Sequence, residues 1–305
     1  MDLVLRSSIP RMLPCALAPL VVLAACSGDE GEDDGRVQVV ASFYPVAEIA
    51  SRVGGDRVDV ANLTPAGTEP HDLELTPDEA ADIEDADVVV YLGEGFQPAV
   101  ADMAGRQGDR AVDLADALPL DEGEGAEDGS EIDPHFWLDP QLMSQAVDEV
   151  EAALASASPS DKAAFAANAK DYKASLAELD RDFEAGLASC ERQQIVTSHA
   201  AFHYLAKRYG LEQLPIAGLS PESEPDPERL ADLAETIESE GITTVFYEEL
   251  VSPDVAETLA REAHVTAAVL NPLEGLTKQE EKAGDDYASV MRDNLAALRK
   301  ALGCA

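Results

Sequence analysis

Basic residues are scarce in this 305-residue chain: 21 Lys and Arg stand against 61 Asp and Glu, a formal charge of −40. A surface so uniformly negative repels phosphate, which excludes nucleic acid as a partner. Aromatic residues make up only 5 % and tryptophan occurs once, so the core must rest on Ala, Val and Leu. The four cysteines include no CxxC pair, which removes the usual thiolate metal sites. GxSxG and HExxH are also missing, so the sequence carries neither a nucleophile elbow nor a zincin helix. Acidity on this scale favours solubility and draws cations loosely, but it does not specify one.

The N-terminus is the exception to the acidic pattern. Arg6 and Arg11 flank Met12–Ala25, an almost wholly apolar stretch holding two prolines, which reads as a targeting segment over residues 1–25. It is too short for a transmembrane helix, which needs about 20 apolar residues. Its end, Leu23-Ala24-Ala25-Cys26, looks like a bacterial lipobox, where cleavage precedes a cysteine that is then lipidated. The alternative is an ordinary secretory signal with a chance cysteine. Residues 26–36 follow as a flexible, acidic tether.

From Val37 onward, apolar runs of strand length alternate with helical patterns. Strands are expected at Val37–Ser42, Val58–Leu63, Val88–Leu92 and Ala111–Leu114, then at Gln194–Ser198, Leu214–Ala217, Thr243–Tyr247 and Val265–Leu270. Helices are expected after the first strand through Val53, from Thr76-Pro77, over Asp139–Ser156, and later over Pro227–Glu240, Pro253–Ala263 and Glu280–Leu302. Between the two alternations lies the longest helical pattern. Ser158-Pro159-Ser160-Asp161 opens it, and Phe165, Ala169, Tyr172, Leu176, Leu179, Phe183 and Leu187 recur every three or four residues. About 30 residues of helix span roughly 45 Å, the length of a beam between two lobes. The fold class that follows is α/β: two parallel-sheet lobes, 37–157 and 190–305, joined by a long helix at 158–189, with a cleft between them.

The five histidines sort by position. His71 lies in TPAGTEPHDLELTP beyond the second strand, His135 in DPHFWLDP, and His199 at the end of the second lobe's first strand. Pro134 disfavours helix before it and Asp139-Pro140 reads as a helix cap and first residue, so His135 sits on a short rigid loop. One such histidine alone is more often a satisfied loop residue; three at strand ends and loops point to a shared metal site. His203, four residues after His199, has the spacing to join a metal on a helix, but no glutamate lies between them, and a structural role is preferred. His264 closes a helix. Asp121–Asp133 is an acidic, glycine-rich insertion with no histidine, read as a solubilising surface loop rather than a cation collector. Cys190 and Cys304 flank the second lobe and, outside the cytoplasm, could pair as a disulfide; two free thiols are the alternative.

EPHDLELTP, DPHFWLDP, TSHAAFHYLAKRYG and NPLEGLT, in this order behind a lipobox, resemble the zinc-binding solute-binding lipoproteins of ABC importers, a cluster that also holds manganese binders. The resemblance covers Val37 to Leu302. It implies two α/β lobes with a metal in the cleft, and His71, His135 and His199 as ligands. Glu274 in NPLEGLT matches the carboxylate of some zinc members and is the expected fourth ligand, with Asn271 or water as the alternatives. It further implies a monomer without enzymatic activity, lipid-anchored through Cys26 on the outer face of the membrane, that hands zinc to an ABC permease and its ATPase. Three imidazoles and one carboxylate suit tetrahedral zinc, whereas manganese prefers more oxygen. Manganese or another divalent metal, an adhesin, and less readily a zinc hydrolase are the competing readings. The long helix resists wide hinge opening, so release is expected through loop movement around His71 or His135.

Overall fold

The computed structural model describes residues 35–93, 95–123, 132–223 and 225–305. Cys26, the targeting segment, the tether before residue 35 and the middle of the acidic insertion lie outside the described residues. Among the described residues, eight strands form two four-stranded sheets, all parallel. The first holds β1 (Val37–Ala41), β2 (Val58–Asn62), β3 (Val88–Tyr91) and β4 (Ala111–Asp113) in the order β2-β1-β3-β4. The second holds β5 (Gln194–Thr197), β6 (Glu212–Pro215), β7 (Thr244–Tyr247) and β8 (Thr266–Val269) in the order β6-β5-β7-β8. Both sheets therefore have one plan, with the first strand of each half in the interior of its sheet, although the two halves share no evident repeat in sequence. In each sheet the order reverses beside that first strand, which opens a crevice at the strands' carboxyl ends.

Helices cover both faces of these sheets, and the interior strands are apolar accordingly; β3, Val-Val-Val-Tyr, is buried at all four positions. The first half carries α1 (Tyr44–Gly54), α2 (Pro77–Asp85), α3 (Pro98–Ala104), α4 (Leu114–Ala117) and α5 (Pro140–Ala157). Thr76 and Glu79 close a capping box on α2, and Asp139 caps α5 by accepting from the Gln141 N–H at 2.7 Å. The long pattern forms α6 (Lys162–Leu187), and all seven of its periodic apolar residues are buried. The second half holds α7 (His203–Tyr209), α8 (Pro227–Glu240), α9 (Asp254–Glu262), α10 (Lys278–Ala283) and α11 (Tyr287–Leu302).

Three expectations shift by a few residues for local reasons. Helix α6 begins at Lys162 rather than Pro159, because Ser158 and Asp161 close a separate turn, the Ser158 hydroxyl donating to Asp161 at 2.7 Å. At 26 residues it is about 39 Å long. Strand β6 sits two residues earlier than its apolar run, since pairing with β5 sets the register Ile195 to Gln213. The final helical pattern breaks into α10 and α11, because Gly284 adopts φ 81° and Asp286 starts a new capping box with Ser289.

The long helix does more than bridge. Helix α6 packs on α1 and α5 on one side and on α7 and α11 on the other, and one hydrophobic cluster runs through all of them. Smaller clusters lie beyond it, one around Val40, Ile83 and Val100, the other around Val196, Ile237 and Leu259. Asp180 on α6 adds a polar clamp, accepting two bonds from Arg208 and one from the Tyr209 hydroxyl at 3.0 Å. Burial works to raise its carboxyl, but Arg208 outweighs this and holds it below the usual range. The single tryptophan crosses between halves: Trp137 is fully buried, meets Phe43 edge-on at 4.9 Å, and donates its indole N–H to the Pro272 carbonyl at 2.7 Å.

A disulfide joins Cys190, just after α6, to Cys304, just after α11, across 114 residues of chain. It ties the C-terminus to the start of the second half, and closing so long a loop restricts the unfolded chain. The C190A/C304A double variant is expected to lose about 2–4 kcal/mol in urea denaturation; a loss below about 0.5 kcal/mol would show that the bond constrains little.

Candidate metal centre

Four side chains from four separate loops meet at one point between the halves. His71 follows β2 on a loop fastened from two directions. Gln97 donates its amide to the Pro70 carbonyl at 3.1 Å and to Thr64 Oγ1 at 3.3 Å, and the Gly67 N–H reaches across to the Leu276 carbonyl at 2.7 Å. Gly67 has φ 81°, and a Cβ there would press on Lys278 at 3.3 Å, so glycine is required where this loop touches the other half. The Phe96 ring stands edge-on to His71 at 4.7 Å. His135 sits at the head of a short 3-10 turn, Phe136–Leu138, and is fully buried. His199 lies two residues past β5 and is fully buried as well.

Glu274 is presented by the loop between β8 and α10. That loop is over-determined: Asn271 accepts from the Leu273 N–H at 2.7 Å, and the Asn294 amide exchanges bonds of 2.8 and 2.6 Å with the Asn271 backbone. Leu273 takes φ 57°, a conformation that a branched residue keeps only under such constraint. The Asn271 side chain also donates to Glu280 at 3.1 Å, so it serves the loop and does not face the cluster.

The ligand-type atoms of His71, His135, His199 and Glu274 all lie within 4.8 Å of one another. His199 Nε2 is 3.0 Å from Glu274 Oε1 and 3.3 Å from His135 Nε2; His135 Nε2 and His71 Nε2 are 3.2 and 3.7 Å from the same oxygen. Donors about 2.0–2.1 Å from a tetrahedral ion stand about 3.3 Å apart, and these separations bracket that value. The donor set therefore fits a small divalent cation. A hollow of about 350 Å³ lined by His71, Asp72, Phe96, Pro134, Leu219 and Ser220 borders the cluster on its His71 side.

Electrostatics bind the cluster together. Burial alone would raise the Glu274 carboxyl, but His199, then His135 and His71, hold it well below the usual range. Burial alone would lower His199, and the carboxylates of Glu248 and Glu274 override it, pushing the ring up to about 10. His135 is raised in the same way, burial being outweighed by Asp133 and Glu274.

Three carboxylic acids beside the cluster were not singled out from sequence. Asp133 contacts His135 Nδ1 at 2.7 Å, and Glu248 contacts His199 Nδ1 at 2.7 Å. Glu69 has both oxygens buried without a hydrogen-bonding partner, and burial and then Glu274 push its carboxyl up to about 8. Glu248 directly follows β7, the strand-end position where ligand groups collect, and that placement was the signal available for it. His203 stays apart from the cluster: α7 begins only at this residue, so it shares no helix with His199, and its Nε2 meets Asp121 at 3.1 Å. His264 follows α9 with φ 58°. The described ends of the acidic insertion are joined by a Glu122–Ile132 bridge and by Tyr204, whose hydroxyl accepts from the Asp121 N–H and donates to the Asp133 carbonyl.

Comparison with known proteins gives this arrangement a context. A family model described as zinc-uptake complex component A, periplasmic, matches residues 39–301. The zinc-binding lipoprotein AdcA of Streptococcus pneumoniae is 38% identical over 299 residues, 94% of this chain and 59% of the relative, so the chain spans somewhat over half of that protein's length. The high-affinity zinc uptake system protein ZnuA of Bacillus subtilis is 37% identical over 304 residues, 93% of this chain and 95% of the relative. Among solved structures, the Zn(II)-bound ZnuA-like domain of S. pneumoniae AdcA aligns with TM-score 0.76 at 38% identity, covering 88% of this chain and 99% of that domain. The laminin-binding protein Lmb of Streptococcus agalactiae, described as a bifunctional protein with adhesin and metal transporting activity, aligns with TM-score 0.79 at 29% identity, over 87% of this chain and 99% of that one. By a match over nearly its whole folded length, the chain belongs to the family of zinc-uptake complex component A.

Proposed function

We propose that this protein captures zinc outside the cytoplasm and delivers it to an ABC permease driven by its ATPase. The observation that carries this reading is the meeting of three imidazole nitrogens and one carboxylate oxygen within 4.8 Å of one another, on loops contributed by both halves. His71, His135, His199 and Glu274 would hold the ion as cargo. Three nitrogens and one oxygen favour zinc over manganese, and Glu274 closes the position that a hydrolytic zinc leaves open to water. The family is one of uptake components rather than enzymes. Cys26 would anchor the chain to the outer face of the membrane, and a monomer suffices because one chain supplies all four groups. A second reading, an added adhesin role, draws on the likeness to Lmb.

The same geometry favours release by loop movement. The hydrophobic cluster is continuous through α6, so swinging the halves apart would open a packed core. Withdrawing the His71 loop breaks a handful of local ties: the Gly67–Leu276 hydrogen bond, the Gln97 bond to Pro70 and the Phe96 contact.

Purified protein is expected to carry one zinc per chain, and His135→Ala to weaken binding at least about 100-fold, in line with loss of one of four ligands. Titration against a chromophoric chelator measures both, and undiminished binding in the variant would refute the assignment. The pH dependence has a defined sign. Zinc takes neutral imidazoles, so His199 must give up the proton it holds up to about 10. Affinity should rise with pH from about 5 to 9, with proton release visible as a buffer-dependent heat in calorimetry. In the metal-free protein the raised His199 stabilises the fold below about pH 6.5, and this contribution is lost as pH rises through about 10. Equal zinc affinity at about pH 5 and 7.5, with no proton release, would contradict the scheme.

A further inference from the structure

The two fully buried imidazoles share a feature that the third lacks: each has a carboxylate from its own half on its far nitrogen. Asp133 Oδ1 accepts both the backbone N–H of His135 at 2.9 Å and sits 2.7 Å from the ring's Nδ1. The intervening Pro134 fixes this two-residue bite. On the other side, β5 and β7 are parallel neighbours, Val196 beside Val245, so His199 and Glu248 emerge at the same edge of the sheet. Glu248 Oε1 lies 2.7 Å from His199 Nδ1 and accepts the Ser198 hydroxyl at 2.5 Å. Asp133 and Glu248 are 1 % and 2 % exposed, so water does not compete for either bond. His71 has no counterpart: among the described residues, the carboxylate within 4 Å of its ring is Glu274, on the metal-facing nitrogen at 3.7 Å.

An imidazole has two nitrogens, and the one that donates a hydrogen bond cannot also offer a lone pair. A buried carboxylate on Nδ1 keeps the proton there, so Nε2 is left to bind a metal, and the ring cannot flip without breaking the bond. In both residues Nε2 is the atom that faces Glu274, at 3.2 Å for His135 and 3.0 Å for His199. We propose that Asp133 and Glu248 are positioning residues for zinc capture, each locking the orientation and proton placement of its histidine so that both Nε2 atoms are aimed at the ion before it arrives. They do not bind the metal themselves. The inference rests on the zinc-capture reading and extends it to two residues outside the ligand set.

The contrast with His71 makes the two acids specific partners of the rings rather than part of the general acidity of the chain. It also orders the assembly of the site. His135 and His199 are fixed in advance, one on each half, and His71, on the loop that borders the hollow, completes the shell.

The test uses the full mature chain, labelled with ¹⁵N-histidine, as wild type and as Glu248→Ala, Glu248→Gln, Asp133→Ala and Asp133→Asn. Two slowly exchanging, downfield ring Nδ1–H resonances are expected in both metal-free and zinc-loaded wild type, from His135 and His199 and not from His71. Glu248→Ala should remove the His199 resonance alone, and Asp133→Ala that of His135 alone, each with zinc binding weakened about 10- to 100-fold. The amide variants retain an acceptor oxygen at the same place and should keep the resonance and recover most of the affinity. Should an alanine variant fail to fold, its amide counterpart decides alone: a lost resonance with unchanged zinc affinity overturns the proposal. Folded alanine variants that bind within about twofold of wild type overturn it, as do alanine and amide variants that lose affinity equally. A wild type that shows both ring resonances but binds no zinc would instead refute the zinc-capture reading and leave the ring contacts standing.

Discussion

A carboxylate surrounded by three imidazoles, with almost no water in reach, is the constraint that the rest of this molecule answers to. Glu274 is 1 % exposed, and an unpaired charge at that depth would be strongly unfavourable. The histidines compensate for it, and the carboxylates behind them compensate for the histidines. Carboxylate and imidazole alternate outward, Glu274 to His199 to Glu248 and Glu274 to His135 to Asp133, so each buried group has a complementary neighbour at 2.7 to 3.2 Å. Such a chain is strong only while its geometry holds, since a partly satisfied polar network costs more than an apolar one.

The geometry is held by joining the halves firmly. A single hydrophobic cluster passes from the first sheet through α6 to α11, Trp137 bonds to the loop that carries Glu274, and Asp180 clamps α7 to α6. The two sheets then act as one support for four loops. The His71 loop is the ligand-bearing element that borders the hollow, and His71 is the one ligand histidine that is not fully buried. A nearly preformed cluster is a consequence of this packing, since the loops are already held in place before an ion binds.

Much of this was legible in the chain itself. The alternation of apolar strand-length runs with capped helical patterns gave eight strands and the long helix close to their observed limits, because periodicity and capping are local properties. The misplacements have local causes too: Ser158 bonding Asp161 delays α6, Gly284 splits the last helical pattern, and pairing with β5 overrides the apolar run at β6. His203 is the clearest limit. Its spacing from His199 suits a shared helix face, but β5 runs on into an irregular turn, and the helix starts only at His203.

What the sequence determined by itself, then, is the class of fold and the placement of His71, His135 and His199 at strand ends or rigid loops; through the resemblance of NPLEGLT it also raised the expectation of Glu274 as fourth ligand, with Asn271 or water as alternatives. What only the tertiary structure decided is distance. It brings residues as far apart in the chain as 71 and 274 to within a coordination sphere, turns Asn271 inward to brace its loop, and sets Asp133 and Glu248 behind their histidines. The physical reason is that a parallel sheet gathers its strand ends along one edge, and no pattern within a single segment reveals which side chains from different strands meet there.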